Sequence, residues 1–276
     1  MRKKPWKKMG KRVLFYLFSL LLVMIYAIPI WMVFVNSFKS RREANLFGIE
    51  LPYEWALGNY AEVFESGNIL SAFMNGMIIA SGAVVLILLC SSMAAFVIAR
   101  SHKKLIKGAY FLFLIGIVVP IAFIPTYLVL NQLQLLNSYL GIILLHATYG
   151  LPASIFLYSG FVNTIPRELD EAAIMDGARL PTLYMSVIFP LLKPITSTLF
   201  IFNFVGAWND VQLPLFFTGS DKWTLPLTMY NFYGAKSSSW NLIFADIMLT
   251  IAPLLVIYLV AQRYIIEGMT AGAVKG

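Results

Sequence analysis

The sequence predicts an all-α membrane protein with six transmembrane helices. Hydrophobic residues make up 59% of the chain and charged residues only 12%, against about 25% charged in a soluble domain. Mean hydropathy is +0.77. The apolar residues collect into runs of roughly 20, the length a helix needs to cross a bilayer. Six spans follow: Val13–Val35, Leu70–Ala99, Gly108–Leu130, Leu140–Val162, Ile195–Phe217 and Leu242–Gln262.

Ahead of the first span, residues 1–12 hold Arg2, Lys3, Lys4, Lys7, Lys8, Lys11 and Arg12, seven of the chain's 21 basic residues. A basic cluster directly before an apolar run reads as a cytoplasmic anchor facing anionic lipid. The net charge of +8 therefore does not point to nucleic acid, since no basic-aromatic surface module accompanies it. Val13–Val35 is about twice the length of a signal-peptide core and lacks a small-x-small cleavage site, so it reads as a retained first helix. The connection from Asn36 to Ile69 carries Pro52, Trp55, Asn59 and Tyr60 with Glu43, Glu50, Glu54, Glu62 and Glu65. It either meets an extracytoplasmic partner or packs over the helices.

The second span is long enough to tilt or to project from the bilayer. It contains Cys90, the only cysteine, which excludes an intrachain disulfide and a cysteine metal site; its position between Leu89 and Ser91 reads as a small buried core residue. Pro29, Pro120, Pro125, Pro152, Pro214 and Pro253 lie in or near spans, where neighbouring helices can satisfy the freed carbonyls. No internal repeat is evident.

Alternating the sides of the six spans from an inside N-terminus leaves 16 of the 21 basic residues on the inner side. The exceptions are Lys39, Arg41, Arg42, Lys222 and Lys236. That asymmetry satisfies the positive-inside rule and puts both termini in the cytoplasm, together with the loop between spans four and five.

That loop is the most distinctive stretch. Glu168, Asp170, Glu171 and Asp176, four of the 13 acidic residues, fall within nine positions. Asn163 or Thr164 can cap a helix starting at Pro166, and the acids then sit in its first turns, where the helix dipole favours them. Leu169, Ala172 and Ala173 share one face of little bulk. Gly177 is a natural C-terminal stop because it can adopt a left-handed conformation. A second short helix can run from Leu180-Pro181 to Ile188 before Pro190 and Pro194 interrupt the backbone. The expected product is a bent helical hairpin, 165–194. An interfacial membrane helix would instead carry Lys and Arg on its polar face.

The order Glu171-Ala172-Ala173, then Gly177, then Ile188-Phe189-Pro190 resembles the EAA motif of ABC importer permeases. Trp208-Asn209-Asp210 with Leu213-Pro214-Leu215 is similar to a signature of the carbohydrate, maltose-type class. So is the tail through Gly268-Met269-Thr270-Ala271-Gly272-Ala273-Val274-Lys275-Gly276. Phe189 replaces the usual leucine, Arg179-Leu180-Pro181 departs from the usual spacing after Gly177, and Asp246 stands where a small residue is expected. The resemblance implies a permease domain over 13–267 and a cytoplasmic tail over 268–276. It implies a cytoplasmic coupling helix between spans four and five, docked on an ATPase through Glu171, Ala172, Ala173, Asp176, Gly177 and Pro190. It further implies a second, heterodimeric permease subunit, an ABC ATPase dimer that binds ATP and Mg, and an extracytoplasmic solute-binding protein, all at a bacterial or archaeal plasma membrane. No cofactor or metal is expected in this chain.

A carried sugar needs aromatic faces and amide or hydroxyl groups. Asn75, Asn131, His146, Tyr149, Tyr158, Asn203, Trp208, Asn209 and Gln212 lie in or near spans, and Tyr149, Asn203, Trp208 and Asn209 are the candidates for substrate contact. Polar groups in a bilayer face the bundle interior, although bonding between helices is their commoner role, and His146 reads as such a donor. Asp246 is either solvated at shallow depth or functional. The alternatives are a permease for a non-sugar solute and an ion-coupled carrier, which would need paired charges at mid-membrane. GxxxxGK[ST], HExxH and GxSxG are absent, so neither ATP hydrolysis nor other catalysis is expected here.

Overall fold

The structure is a computed structural model that describes residues 5–234 and 238–273, with side chains for 12–234 and 238–259. Among the described residues there is no strand. The helices are α1 (Pro5–Ser37), α2 (Arg41–Ala44), α3 (Gly58–Ser66), α4 (Ile69–Arg100), α5 (Lys104–Val118), α6 (Phe123–Gln132), α7 (Tyr139–Val162), α8 (Glu168–Met175), α9 (Leu180–Thr182), α10 (Phe189–Leu191), α11 (Lys193–Asn209), α12 (Gln212–Phe217), α13 (Leu225–Thr228) and α14 (Trp240–Ala273). A π-helical turn, Leu183–Ile188, joins α9 to α10. Among the described residues four helices are long and apolar enough to cross a membrane, and up to six spans result if each of two bent pairs counts as one.

The first bent pair corrects an expected continuous span, while the second bends between Pro190 and Pro194, where the sequence predicts an interruption ahead of the fifth span. The third span breaks between α5 and α6 with a bend of 118°. Val119 is extended, at φ −70° and ψ 122°, as the residue before Pro120 prefers. The fifth span starts after a 76° bend at Leu192 and ends at Asn209, so α12 is a separate helix. Asp210 is extended there, and its Oδ1 accepts the N–H groups of Gln212 at 2.9 Å and Leu213 at 3.4 Å. Pro214 lacks the N–H that would continue α11 and sits in the first turn of α12, where none is needed.

The chain forms two compact units, Met1–Ile69 with Thr228–Ala252 and Leu70–Leu227 with Pro253–Gly276. In the first, the long connection after α1 packs down by polar ties. Asn36 donates to the carbonyls of Met32 and Gly48, both at 2.7 Å. Asn59 donates to the Ser37 and Lys39 carbonyls, each at 2.9 Å, and accepts from Asn241 at 2.8 Å. Phe47 meets Trp240 and Phe244 edge-on. Ser40 and Glu43 form a capping box on α2. The Ser40 hydroxyl, above all, holds the Glu43 carboxyl below its ordinary value, and the Tyr53 N–H adds to this.

In the second unit, α4, α7 and α11 enclose the cores. Ile79, Ile142, Leu145, Leu213 and Phe217 fill one. Ala95, Phe96, Tyr158, Val162, Leu183, Tyr184, Ile188 and Leu199 fill another, joining the three helices to the segment between α7 and α11. Cys90 is exposed, which overturns its reading as a core residue. It lies on the side of α4 where Leu89, Met93 and Val97 are also exposed, an outward face as apolar as the interior.

Candidate functional site

Two features of the second unit answer to the sequence expectations: a hairpin of short helices and a cavity. The hairpin is built by local rules. α8 starts at Glu168, two residues later than expected. Neither Asn163 nor Thr164 caps it: Asn163 closes α7, the Thr164 hydroxyl turns back to the Phe161 carbonyl at 2.8 Å, and Arg167 holds the N-cap position without a side-chain capping bond. Glu168, Asp170 and Glu171 occupy the first turn.

At the other end Gly177 has φ +84°, a conformation costly for any residue with a Cβ. Its N–H reaches the Ile174 carbonyl and that of Ala178 the Ala173 carbonyl, each at 2.9 Å, the paired bonds of a Schellman stop. The chain then turns into α9 and the π turn, where the Phe189 N–H reaches back five residues to Tyr184. Such a wide turn often marks a functional position in a helix. Tyr184 and Ser92 of α4 share a hydrogen bond of 2.7 Å.

The expected docking residues divide by burial. Glu171, Ala172, Asp176, Gly177 and Pro190 are exposed, while Ala173 is half-buried against the core. Ile174 and Met175 are 56% and 86% exposed, so the outer side of α8 offers apolar contacts between acids. Asp170 is the acid that turns inward. Its carboxylate pairs with Arg100, 2.6 Å from Nε, and accepts a hydrogen bond from Nη2 at 3.2 Å. Sequence reasoning missed this pair, because partners 70 positions apart leave no spacing signal.

The cavity, about 520 Å³, is lined by Ile87 of α4, His146, Tyr149 and Gly150 of α7, and Ile201 to Asn203 and Val205 to Ala207 of α11. Its volume lies within the usual range for small-molecule sites. Of the four candidate substrate residues, Tyr149 and Asn203 line it. Tyr149 also borders two further cavities, of about 360 and 420 Å³. Asn203 Nδ2 donates to Ser154 Oγ at 3.1 Å and to the Leu199 carbonyl at 2.8 Å, and its Oδ1 lies beside Gly150. A Cβ on Gly150 would stand 2.7 Å from that oxygen and 2.5 Å from Ile87 Cδ1, so glycine keeps this wall open. Trp208 does not reach the cavity; it is buried, stacked on Phe204 and edge-on to Phe73. Asn209 is exposed and outside the lining.

His146 does not fit the expected interhelical donor. Its Nε2 is 3.8 Å from Asp210 Oδ2, beyond hydrogen-bond reach. Asp246, in the first unit, is 1% exposed and accepts a bond from Thr228 Oγ1 at 2.7 Å. Its reading as a solvated acid is therefore overturned.

Comparison with known proteins shows the family. Residues 87–270 match the family described as binding-protein-dependent transport system inner membrane component. The chain is similar to the "Multiple sugar-binding transport system permease protein MsmG" of Streptococcus mutans, 36% identical over 98% of this chain and 100% of that protein. It is also similar to the "Melibiose/raffinose/stachyose import permease protein MelC" of Bacillus subtilis, 33% identical over 90% of this chain and 91% of the relative. Among solved structures, a chain of a bacterial ABC transporter involved in the import of the acidic polysaccharide alginate superimposes with a TM-score of 0.77, covering 96% of this chain and 98% of that one at 21% identity. That likeness shows a shared fold.

Proposed function

The chain belongs to the family of binding-protein-dependent transport system inner membrane components, a multi-pass transport component and not an enzyme, and from this premise we propose that it is the permease subunit of an ABC importer for a sugar or oligosaccharide. The observation that carries the proposal is the end-to-end match to a permease named for sugar transport, 36% identical over 98% of this chain. In this reading an extracytoplasmic binding protein delivers the sugar, and a second permease subunit completes the pathway. A separate ATPase dimer, which holds ATP and Mg, drives the change of access. The permease domain runs over 13–267, with the tail 268–276 and both termini in the cytoplasm, as the positive-inside asymmetry supports.

The geometry suggests how this chain transmits the stroke. The hairpin is the coupling element: Glu171 and Asp176 meet basic groups on the ATPase, and Ile174 and Met175 fill an apolar part of the same contact. Its core is shared with α4, α7 and α11, which carry the cavity lining. Phe96 and Tyr158 in that core are each nine residues from the lining positions Ile87 and Tyr149, or about 13 Å along a helix at 1.5 Å per residue. A shift of the hairpin is thereby delivered to the cavity wall by packed helices. Tyr149 supplies an aromatic face and Asn203 an amide oxygen for sugar hydroxyls, with Trp208 and Asn209 in supporting positions on the same helix.

The experiment is uptake in proteoliposomes that contain this chain with its co-purifying partners, using a panel of labelled α-galactosides and maltooligosaccharides. Uptake is expected to require ATP on the ATPase side and the binding protein on the other. It should survive collapse of ion gradients. Uptake that ignores ATP and stops with an ionophore would establish a gradient-driven carrier instead.

A further inference from the structure

We propose that Arg100, Asp170 and Arg167 form a clasp that makes α4 move as one body with the coupling hairpin; the idea rests on the importer reading above. Arg100 is the last residue of α4. Its Nε lies 2.6 Å from Asp170 Oδ2 as an ion pair, while the hydrogen bonds come from Nη2, to Asp170 Oδ1 at 3.2 Å and to the Ile165 carbonyl at 3.1 Å. The two side chains are 14% and 13% exposed, so solvent and salt screen the pair far less than a surface pair. A guanidinium bonded at once to a carboxylate and to a backbone carbonyl fixes orientation as well as distance.

A second arginine closes the joint from the opposite side. Arg167, at the start of α8, donates through Nη2 to the Ala99 carbonyl at 3.4 Å, and its Nη1 lies 3.1 Å from His102 Nε2. Helix α4 therefore holds the hairpin and the hairpin holds the last turn of α4. None of the residues of α8 is buried; Ala173 packs against the core and the helix rests on the π turn, so the clasp adds a polar tie to a light apolar one. The acids on α8 consequently divide the labour. Asp170 turns in toward the permease, and Glu171 stays exposed for the partner. Through α4 the clasp reaches Ile87 at the cavity wall, so Arg100, Asp170 and Arg167 are positioning residues for transport.

The test uses the assembled complex and two readouts. Spin labels at Met93→Cys on α4 and Glu168→Cys on α8, in a Cys90→Ala background, report the distance across the clasp with and without ATP. That distance is expected to stay constant in the otherwise wild-type complex and to vary with nucleotide in Asp170→Asn. Sugar carried per ATP hydrolysed should fall on the order of tenfold in Asp170→Asn, within the usual range for coupling between sites, while the ATPase still co-purifies. The exchanged pair Arg100→Asp with Asp170→Arg should recover much of the loss, which a merely structural defect would not show. A wild-type distance that changes by several ångströms with ATP overturns the proposal, and so does an Asp170→Asn complex with normal coupling. Should Asp170→Asn fail to assemble, the distance in the wild-type background still decides. If no ATPase ever co-purifies with the wild type, the importer reading fails, not the clasp alone.

Discussion

Replacing Gly150 by alanine probes the cavity wall with one methyl group. The new Cβ would lie 2.5 Å from Ile87 Cδ1 and 2.7 Å from Asn203 Oδ1, whereas carbon atoms settle at about 3.5–4.0 Å. Ile87 must leave its rotamer, at a cost of order 1 kcal/mol. Asn203 must rotate and give up its bond to Ser154, worth about 1 kcal/mol. The sum, about 2 kcal/mol, corresponds to roughly a 30-fold change in an equilibrium constant. Gly206 lines the same cavity, yet a Cβ there meets nothing within 4 Å, so Gly206→Ala is the control. The assays are the melting temperature of the purified complex and the KM for uptake at matched membrane abundance. Gly150→Ala should lower the first and raise the second, whereas Gly206→Ala, in open space inside a helix, should leave KM unchanged and hold or slightly raise the melting temperature. Equal behaviour of the two variants would refute the assignment of this cavity wall.

Further outcomes follow from the hairpin and the outer connection. Gly177→Ala places a Cβ at φ +84°, which costs about 1–2 kcal/mol. Because that Cβ meets no neighbour, the complex should assemble but carry less sugar per ATP, measurable in proteoliposomes. Ile188→Ala empties a fully buried site and should destabilise by about 2–5 kcal/mol, seen as a lower melting temperature with reduced abundance. The Glu43 carboxyl is held below its ordinary value of 4.5 in the fold. Its support of the α2 cap is therefore complete above that value and fades as pH falls through the depressed one. Protease nicking of residues 40–55 should rise at acid pH, and Glu43→Gln should flatten that dependence.

Much of the hairpin was legible because its determinants are local. The left-handed glycine, the acids in the first turn of α8 and the prolines at 190 and 194 act within a few residues of themselves. The cap of α8 was misread since a threonine hydroxyl can bond back to its own helix as readily as cap the next, and Thr164 bonds the Phe161 carbonyl. The breaks at Pro120 and before Pro214 were visible as prolines but not as breaks. A proline in a membrane span is tolerated or disruptive according to what can satisfy the carbonyl it frees.

Of the site, Tyr149 and Asn203 were chosen for their chemistry and do line the cavity, whereas Trp208 was chosen by the same reasoning and is buried outside the lining. Side-chain type names what a residue can bind, and only helix rotation decides where it points. The sequence by itself determined that this is an all-helical membrane protein with a glycine-stopped hairpin between two spans, since hydropathy, capping and backbone preference are properties of short segments. Tertiary structure alone turned Cys90 outward, buried Asp246 and joined Arg100 to Asp170. A lipid-facing surface is as apolar as a core, and a contact between distant residues leaves no periodic trace in the chain.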